Sequence, residues 1–106
     1  MRIAVVSSDG ENVDLHLGKG KSVYVYDWND ELTFVEMRPV DIHDESKHQG
    51  DKVINTCSDC DVLISTQYGF KSKVRADDAG IKLVIDEGPI SDVLKRYTDH
   101  VEFMKN

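Results

Sequence analysis

The stretch that decides the fold is residues 61–85, DVLISTQYGFKSKVRADDAGIKLVI. It opens with Asp61–Ser65, whose continuous apolar run is typical of a strand covered on both faces of a sheet. A helix is predicted over Phe70–Ala79, and Gly80 follows it as a C-terminal cap. Ile81–Ile85 is predicted to be the next strand. The stretch therefore predicts a strand, a helix and a second strand parallel to the first.

The residues on the amino-terminal side add strands to this unit. Arg2–Ser7 is a short apolar run ended by Ser-Asp-Gly turn chemistry, which predicts a buried first strand. Ser22–Trp28 alternates between two faces, and Leu32–Val40 follows it after a polar turn. These two segments are predicted to form an antiparallel hairpin. A polar loop then leads to a helix predicted over Asp51–Ser58.

The carboxyl-terminal side adds a third helix. It is predicted to open at Gly88-Pro89, because proline suits the first helical position. Its apolar residues recur at i, i+3, i+4 and i+7 and are Ile90, Val93, Leu94 and Tyr97. His100–Asn106 is predicted to be a short tail. The order β-β-β-α-β-α-β-α predicts one α/β domain over residues 1–106, with a mixed five-stranded sheet and about three helices.

The charge balance narrows the range of partners. The chain has 20 acidic and 13 basic residues, a formal net charge of -7. Such a chain repels phosphate backbones and anionic membranes, so we expect no nucleic-acid or membrane binding. No segment approaches membrane-spanning length, and the first apolar run is too short for a signal peptide. The expected location is the cytoplasm.

The segment Asp14–Ser22, DLHLGKGKS, lies between the first two strands and is the main candidate ligand loop. It carries one histidine, two glycines and two lysines, which are His16, Gly18, Gly20, Lys19 and Lys21. The glycines allow close backbone approach, the lysines add local positive charge, and the imidazole is a potential metal ligand. The alternative is a surface loop with a solvated histidine. The segment leads into a strand, which excludes a nucleotide P-loop.

A second candidate is His48-Gln49-Gly50, which precedes the first helix. A helix start favours anions, so His48 is predicted either to contact an anionic cofactor or metal or to be a mobile loop residue. His43 is expected to be exposed to solvent.

The two cysteines form one C-x-x-C, Cys57-Ser58-Asp59-Cys60, at the end of a helix. Redox motifs of the thioredoxin type lie at a helix start, so dithiol catalysis is not expected. Cys57 shares the apolar face of Val53 and Ile54 and is predicted to be structural. Cys60, at the edge of the next strand, is the more open of the two and is a candidate metal ligand.

Catalytic patterns are missing from the sequence. The first strand, Ile3–Val6, carries no carboxylate, whereas a two-metal nuclease of ribonuclease H architecture needs one there. Asp9 and Asp14 only flank the end of that strand. No G-x-S-x-G and no convincing Ser-His-Asp or Cys-His arrangement is present. The sequence therefore favours a binding protein over an enzyme.

Several motifs, taken in order, resemble the dinitrogenase iron–molybdenum cofactor biosynthesis family, which includes NifX, the C-terminal domain of NifB and the nitrogenase accessory factors. The segments that carry the resemblance are Ile3–Gly10, Val13-Asp14, His16-Leu17-Gly18, His48-Gln49-Gly50, Asp59–Ile64, Ala79–Val84 and Asp86–Tyr97. Leu17 stands where the family usually has phenylalanine. The turn at Tyr68 is bulkier than in relatives that bind the cofactor.

The resemblance implies a fold, a cargo and a site. The fold is a ribonuclease H-like three-layer α/β/α arrangement. The cargo is an iron–molybdenum cofactor, its precursor or a related metal–sulfur cluster, exchanged with a cofactor-assembly or acceptor protein. The implied contacts are His16, Gly18, Lys19, His48 and Gly50, with His16 and Cys60 as candidate metal ligands. The alternative is a non-catalytic module of the same fold that has lost cluster binding and recognises a protein partner or a small anion.

Overall fold

The computed structural model describes residues 1–41 and 49–105. Its elements, in chain order, are strands β1 (Arg2–Val6) and β2 (Asn12–Val13), a 3₁₀ turn (Leu17–Lys19), strands β3 (Ser22–Trp28) and β4 (Leu32–Pro39), helix α1 (Gly50–Thr56), strand β5 (Val62–Ser65), helix α2 (Phe70–Ala79), strands β6 (Lys82–Ile85) and β7 (Gly88–Pro89), and helix α3 (Ile90–Met104). The predicted hairpin corresponds to β3 and β4, and the predicted strand–helix–strand unit corresponds to β5, α2 and β6.

The main sheet is mixed and five-stranded, in the order β4-β3-β1-β5-β6. β1 pairs antiparallel with β3 and parallel with β5, and β5 pairs parallel with β6. Ile3–Val6 have no exposed surface, as expected for a strand with neighbours on both sides and helices on both faces. The predicted fold class, a mixed five-stranded sheet with three helices in the described residues, is confirmed.

The two faces of the sheet carry separate cores. Helices α1 and α2 cover one face, where the buried residues include Val6, Leu17, Val25, Val53, Ile54, Leu63 and Ala76. Helix α3 covers the other face with Ile3, Val5, Ile64, Ile90, Val93, Leu94 and Tyr97. Alternate residues of a strand point to opposite faces, so neighbours such as Val5 and Val6 enter different cores. The chain therefore has the three layers that the sequence resemblance implied.

The carboxyl-terminal region differs from the prediction in two ways. Residues 100–104 continue α3 instead of forming a tail, because Val101 still packs against the core under the helix. Gly88–Pro89 forms β7, paired antiparallel with β2, and the helix starts one residue later. The backbone N–H of Ile90 then donates to the carbonyl of Glu11 at 2.8 Å. This two-stranded sheet was not predicted, because two-residue strands have no periodic signal.

An ionic cluster lies at the end of the sheet where β1 begins. Asp59, in the turn between α1 and β5, accepts hydrogen bonds from Nη1 and Nη2 of Arg38 at 2.6 and 2.9 Å. It also accepts from Nη1 of Arg2 at 2.7 Å. These hydrogen bonds, above all those from Arg38, hold the pKa of Asp59 well below its usual range. One carboxylate thus joins β1, β4 and the α1–β5 turn.

None of the helices in the described part of the chain has the length and apolar character needed to cross a membrane.

Candidate functional site

The carboxyl ends of the parallel strands lie at the same end of the main sheet. β1, β5 and β6 run in the same direction, so the segments that follow them leave the sheet on the same side. In open α/β sheets ligands collect outside the carboxyl ends of such strands. A ligand is therefore expected at this end of the sheet, and the next question is which of the residues proposed from the sequence lie there.

The His16 loop, residues 14–20, is attached to this end of the sheet by backbone hydrogen bonds. The N–H of Leu17 donates to the carbonyl of Gln67 at 2.8 Å. The N–H of Thr66 donates to the carbonyl of Leu15 at 3.1 Å. Thr66 and Gln67 directly follow β5, and the side chain of Leu17 is fully buried beneath the loop. The loop is thereby held against the end of the central strands.

His16 is the N-cap residue of the 3₁₀ turn at Leu17–Lys19. Its Nδ1 accepts a hydrogen bond from the N–H of Gly18 at 3.0 Å, and its carbonyl accepts from the N–H of Lys19 at 2.9 Å. An imidazole that accepts at Nδ1 is neutral and carries its proton on Nε2. The residue is half-buried. The loop therefore fixes both the orientation and the tautomer of this ring.

The glycines of the loop serve close packing. Gly18 is buried, and its carbonyl accepts from the N–H of Gln49 at 2.8 Å, which ties the loop to the start of α1. At Gly20 an added Cβ would lie 2.9 Å from Cγ1 of Val6. Lys19, between the two glycines, is exposed. The predicted close backbone approach is thus observed, and the partner at Gly20 is the protein's own core.

A cavity of about 540 Å³ opens between α1 and α2. Gly50 lines it, and a Cβ on Gly50 would lie 2.4 Å from Oγ of Ser72, so the two helices approach closely here. Gly50 follows Gln49, whose N–H donates to the carbonyl of Gly18, so one residue of the cavity wall is connected to the His16 loop, although residues 14–20 do not themselves line the cavity. Its volume falls in the range of about 300–1,000 Å³ that is usual for small-molecule sites.

Two cationic side chains of α2, Lys71 and Arg75, line this cavity, together with the carboxylates Asp51 and Asp78. They lie one helical turn apart and so share a face of the helix. The ion pair described on α2 instead joins Lys73 to Asp77, at 2.5 Å. Lys71 and Arg75 were not singled out from the sequence, although their spacing on a helix that starts at the ligand edge was an available signal.

The carboxylates that follow β1 close a turn. Asp9 accepts hydrogen bonds from the N–H groups of Glu11 and Asn12 at 2.8 and 2.9 Å. These bonds lower the pKa of Asp9 to about 2. Asp14 accepts from the N–H of Ser8 at 2.9 Å. Both carboxylates are therefore engaged by the backbone of their own turn.

The cysteines lie at the amino-terminal end of β5, whereas His16 lies at its carboxyl end. Cys60 precedes the first residue of β5, whereas the His16 loop contacts Thr66 beyond the last one. At a rise of about 3.3 Å per residue, the strand separates the two by more than about 10 Å. Cys57 and Cys60 are both buried, at 0% and 5% exposure, and the structure does not bring Cys60 to His16.

The two cysteines are neighbours in the α1–β5 turn: the N–H of Cys60 donates to the carbonyl of Cys57 at 2.9 Å, and the Cys60 thiol lies 3.6 Å from a carboxylate oxygen of Asp59. A hydrogen bond with Cys60, together with burial, raises the pKa of the Cys57 thiol. Across residues 1–41 and 49–105, no three His, Cys, Asp or Glu side chains are grouped so that they could hold a metal ion. His43, predicted to be exposed, and His48, predicted either to contact a ligand or to be a loop residue, lie outside the described residues.

Comparisons with known proteins agree with the fold and identify a family. A family model described as dinitrogenase iron-molybdenum cofactor matches residues 1–100. Protein NifX of Rhodobacter capsulatus is 27% identical over 91% of this chain and 67% of its own length. The crystal structure of PH0822 matches with a TM-score of 0.77 at 23% identity, over 92% of this chain and 89% of that one. The NMR structure of a putative NifB protein from Thermotoga, TM1290, matches with a TM-score of 0.62 at 20% identity, over 92% and 87%.

Proposed function

Because this chain belongs to the dinitrogenase iron-molybdenum cofactor family, we propose that it binds an iron–molybdenum cofactor, a precursor or a related metal–sulfur cluster as cargo. The observation that carries the proposal is His16, a half-buried imidazole oriented by the N–H of Gly18 at the carboxyl end of the central strands. Its loop is hydrogen-bonded to Gln49, and the next residue, Gly50, lines a cavity of about 540 Å³. Lys19 and Gly50 are proposed to border the same cargo. His48 is proposed from the sequence resemblance alone.

The residues proposed to bind, one imidazole and nearby polar groups, suit a metal–sulfur cluster better than a bare metal ion. A metal–sulfur cluster brings its own sulfides, so a protein can hold it with few ligands, supplemented by hydrogen bonds and charge. The oriented imidazole of His16 supports that mode of binding, and such a contact is easily broken when an acceptor protein takes the cargo. Cys60, at the far edge of the sheet, is not included in the proposed site. We therefore propose a carrier that exchanges its cargo with an assembly or acceptor protein and is not an enzyme.

His16 can act on such a cargo in two ways. With Nδ1 engaged by Gly18, the proton on Nε2 can be donated to a sulfide or carboxylate of the cargo. Ligation of a metal through Nε2 instead requires the proton to move to Nδ1, which breaks the bond to Gly18 and uncaps the 3₁₀ turn. The first mode keeps the loop as it is, and we propose it for the initial contact.

Positive charge near the loop supports an anionic cargo. The chain has a formal net charge of -7, yet Lys19 and Lys21 belong to the loop segment. In the cavity the cations Lys71 and Arg75 are balanced by Asp51 and Asp78, so the excess positive charge lies on the loop segment. Attraction to these groups is strongest where water is excluded and falls with salt. We therefore expect cluster affinity to decrease as ionic strength rises.

The test is anaerobic binding of isolated iron–molybdenum cofactor, followed by the visible absorbance that co-elutes with the protein. His16→Asn is the informative variant, because an asparagine side chain can still cap the 3₁₀ turn while the imidazole is lost. We expect His16→Asn and His16→Ala to bind at least tenfold more weakly than the wild type. His100→Asn, on the exposed side of α3, is the matched control. Wild-type affinity in His16→Asn would exclude an imidazole contact.

A second candidate function is recognition of a small anion without any cluster, favoured by Lys71 and Arg75, two cations one helical turn apart in the cavity. In that case the wild type would bind no chromophore. It would instead bind a small oxyanion such as molybdate, measured by calorimetry. A Lys71→Gln/Arg75→Gln double variant would lose that binding, whereas His16→Asn would keep it.

A further inference from the structure

β4 is an open edge of the main sheet. It pairs with β3 on one side, and the described residues supply no strand on its other side. Alternate N–H and C=O groups along an edge strand point away from the sheet and are available to another strand. β4 is eight residues long, and its large apolar side chains are Leu32, Phe34, Val35 and Met37, exposed by 37%, 53%, 37% and 48%. A long apolar edge of this kind favours pairing with another chain.

A β-bulge determines what this edge can pair with. The register between β3 and β4 shifts at Val35, because Val25 lies opposite Glu36 while Tyr26 lies opposite Phe34. The extra residue places Phe34 and Met37 on the same face of the sheet, although three positions separate them. In a regular strand, residues three apart point to opposite faces.

From this geometry we propose that β4 pairs with β4 of a second copy of the chain, antiparallel about a two-fold axis between Val35 and Glu36. In that register Phe34 lies opposite Met37 of the other copy, twice, and each pair shares a face of the sheet. A two-fold axis through Val35 would instead place Phe34 opposite Glu36 on the other face. The bulge therefore makes the first register self-complementary and excludes the second.

The charges on the strand permit this contact. β4 carries one acidic and one basic residue, and Nε of Arg38 donates to Glu36 of the same strand at 2.7 Å. Arg38 also turns towards Asp59 and does not project from the edge. The strand is therefore neutral in a chain whose formal net charge is -7, so salt should strengthen the pairing by screening the repulsion between the two copies.

The contact is small. Eight antiparallel residues span about 27 Å, and a sheet with its side chains is about 10 Å thick, so each chain contributes a few hundred Å². Stable interfaces bury about 800 Å² per partner. We therefore expect a weak dimer, half formed at the order of 100 µM. It would join two five-stranded sheets into one of ten strands.

Sedimentation velocity of the full chain between about 10 µM and 1 mM, in low salt and in 0.5 M NaCl, tests the association. We expect the sedimentation coefficient to rise with concentration and further with salt. Phe34→Lys and Val35→Lys should each reduce dimer formation at least tenfold. Phe103→Lys, at a side chain that is 76% exposed on α3, is the matched control and should leave it unchanged. A wild type that stays monomeric at 1 mM in 0.5 M NaCl would overturn the proposal. So would a result in which Phe103→Lys reduces dimer formation while Phe34→Lys and Val35→Lys do not.

Disulfide trapping tests the register. In the proposed pairing the Phe34→Cys chain and the Met37→Cys chain place their new thiols opposite each other only when the two are mixed. We expect air oxidation of the mixture to give a disulfide-linked dimer in at least fivefold excess over either variant alone. Preferential linking of Phe34→Cys to itself would contradict the two-fold axis between Val35 and Glu36. Folding of each variant is checked by its circular dichroism.

Discussion

Replacing Asp59 by asparagine tests the ionic cluster that joins β1, β4 and the α1–β5 turn. The change keeps the size of the side chain and one acceptor oxygen but removes the charge that receives three hydrogen bonds, at 2.6, 2.9 and 2.7 Å. Arg38 keeps its bonds to Glu36 and to the carbonyl of Thr56. The variant is therefore expected to fold, with a weaker attachment of β4.

The expected loss in the free energy of unfolding depends on how far Asp59 and Arg38 are exposed to solvent. A shielded hydrogen bond to a charged group contributes about 1.5–3 kcal/mol. The side chain of Asp59 is 44% exposed and that of Arg38 is 19% exposed, so solvent screening reduces the sum. We expect Asp59→Asn to lower the free energy of unfolding by about 1–2 kcal/mol, which lowers Tm by about 4–12 °C in a domain of this size.

The assay is urea unfolding followed by circular dichroism at several pH values. Arg38 holds the pKa of Asp59 in the folded chain well below its usual range, whereas in the unfolded chain that pKa is about 3.9. The carboxylate therefore stabilises the fold fully above about pH 5, and this contribution is lost as the pH falls below about 4 towards the folded pKa. The difference between wild type and Asp59→Asn should shrink over the same range.

Asp99→Asn is the control for this prediction, because Asp99 forms an exposed pair with Lys95 on α3, at 64% and 75% side-chain exposure. We expect its Tm to stay within about 1 °C of the wild type. The reasoning would be refuted if Asp59→Asn were as stable as the wild type at pH 7. A difference that stayed constant between pH 7 and pH 2 would refute the ionic explanation and leave only packing.

Three further outcomes follow from packing. Gly50→Ala should change the free energy of urea unfolding by less than about 1 kcal/mol, because its Cβ would meet only Oγ of Ser72, which can rotate away, and Ser72→Ala should remove any remaining loss. Leu94→Ala should cost about 2–5 kcal/mol because Leu94 is buried under α3, whereas Phe103→Ala at the exposed end of the same helix should change little. Cys57 and Cys60 should react with a thiol reagent much more slowly in the native protein than in urea, and equal rates would contradict their burial.

The sequence determined most of the fold because its strands and helices have strong periodicity. The apolar runs of β1 and β5 are typical of strands buried on both faces, and their order restricted the sheet to few topologies. The end of α3 was missed although the apolar spacing continues, since Val101 and Met104 follow Tyr97 by four and seven residues. Val101 packs against the core, which extends the helix.

The site was predicted less completely than the fold. The location of His16 at the carboxyl edge followed from its place between two strands, and the structure agrees with it. Its pairing with Cys60 could not be judged from the sequence, since that depends on which end of β5 each residue occupies. Lys71 and Arg75 were missed because a charge on a helix has no direction until the neighbouring helix is known.

The fully buried strands β1 and β5 have a consequence for how this protein can change. They separate the His16 loop from the ionic cluster around Asp59, so one end of the sheet carries the loop proposed to bind the cargo while the other end secures the chain. Substitutions at distant sites with no shared partners add nearly independently. Side chains of the loop can therefore change while the anchorage of β4 stays intact, so substitutions in the loop and substitutions in the ionic cluster should affect stability independently.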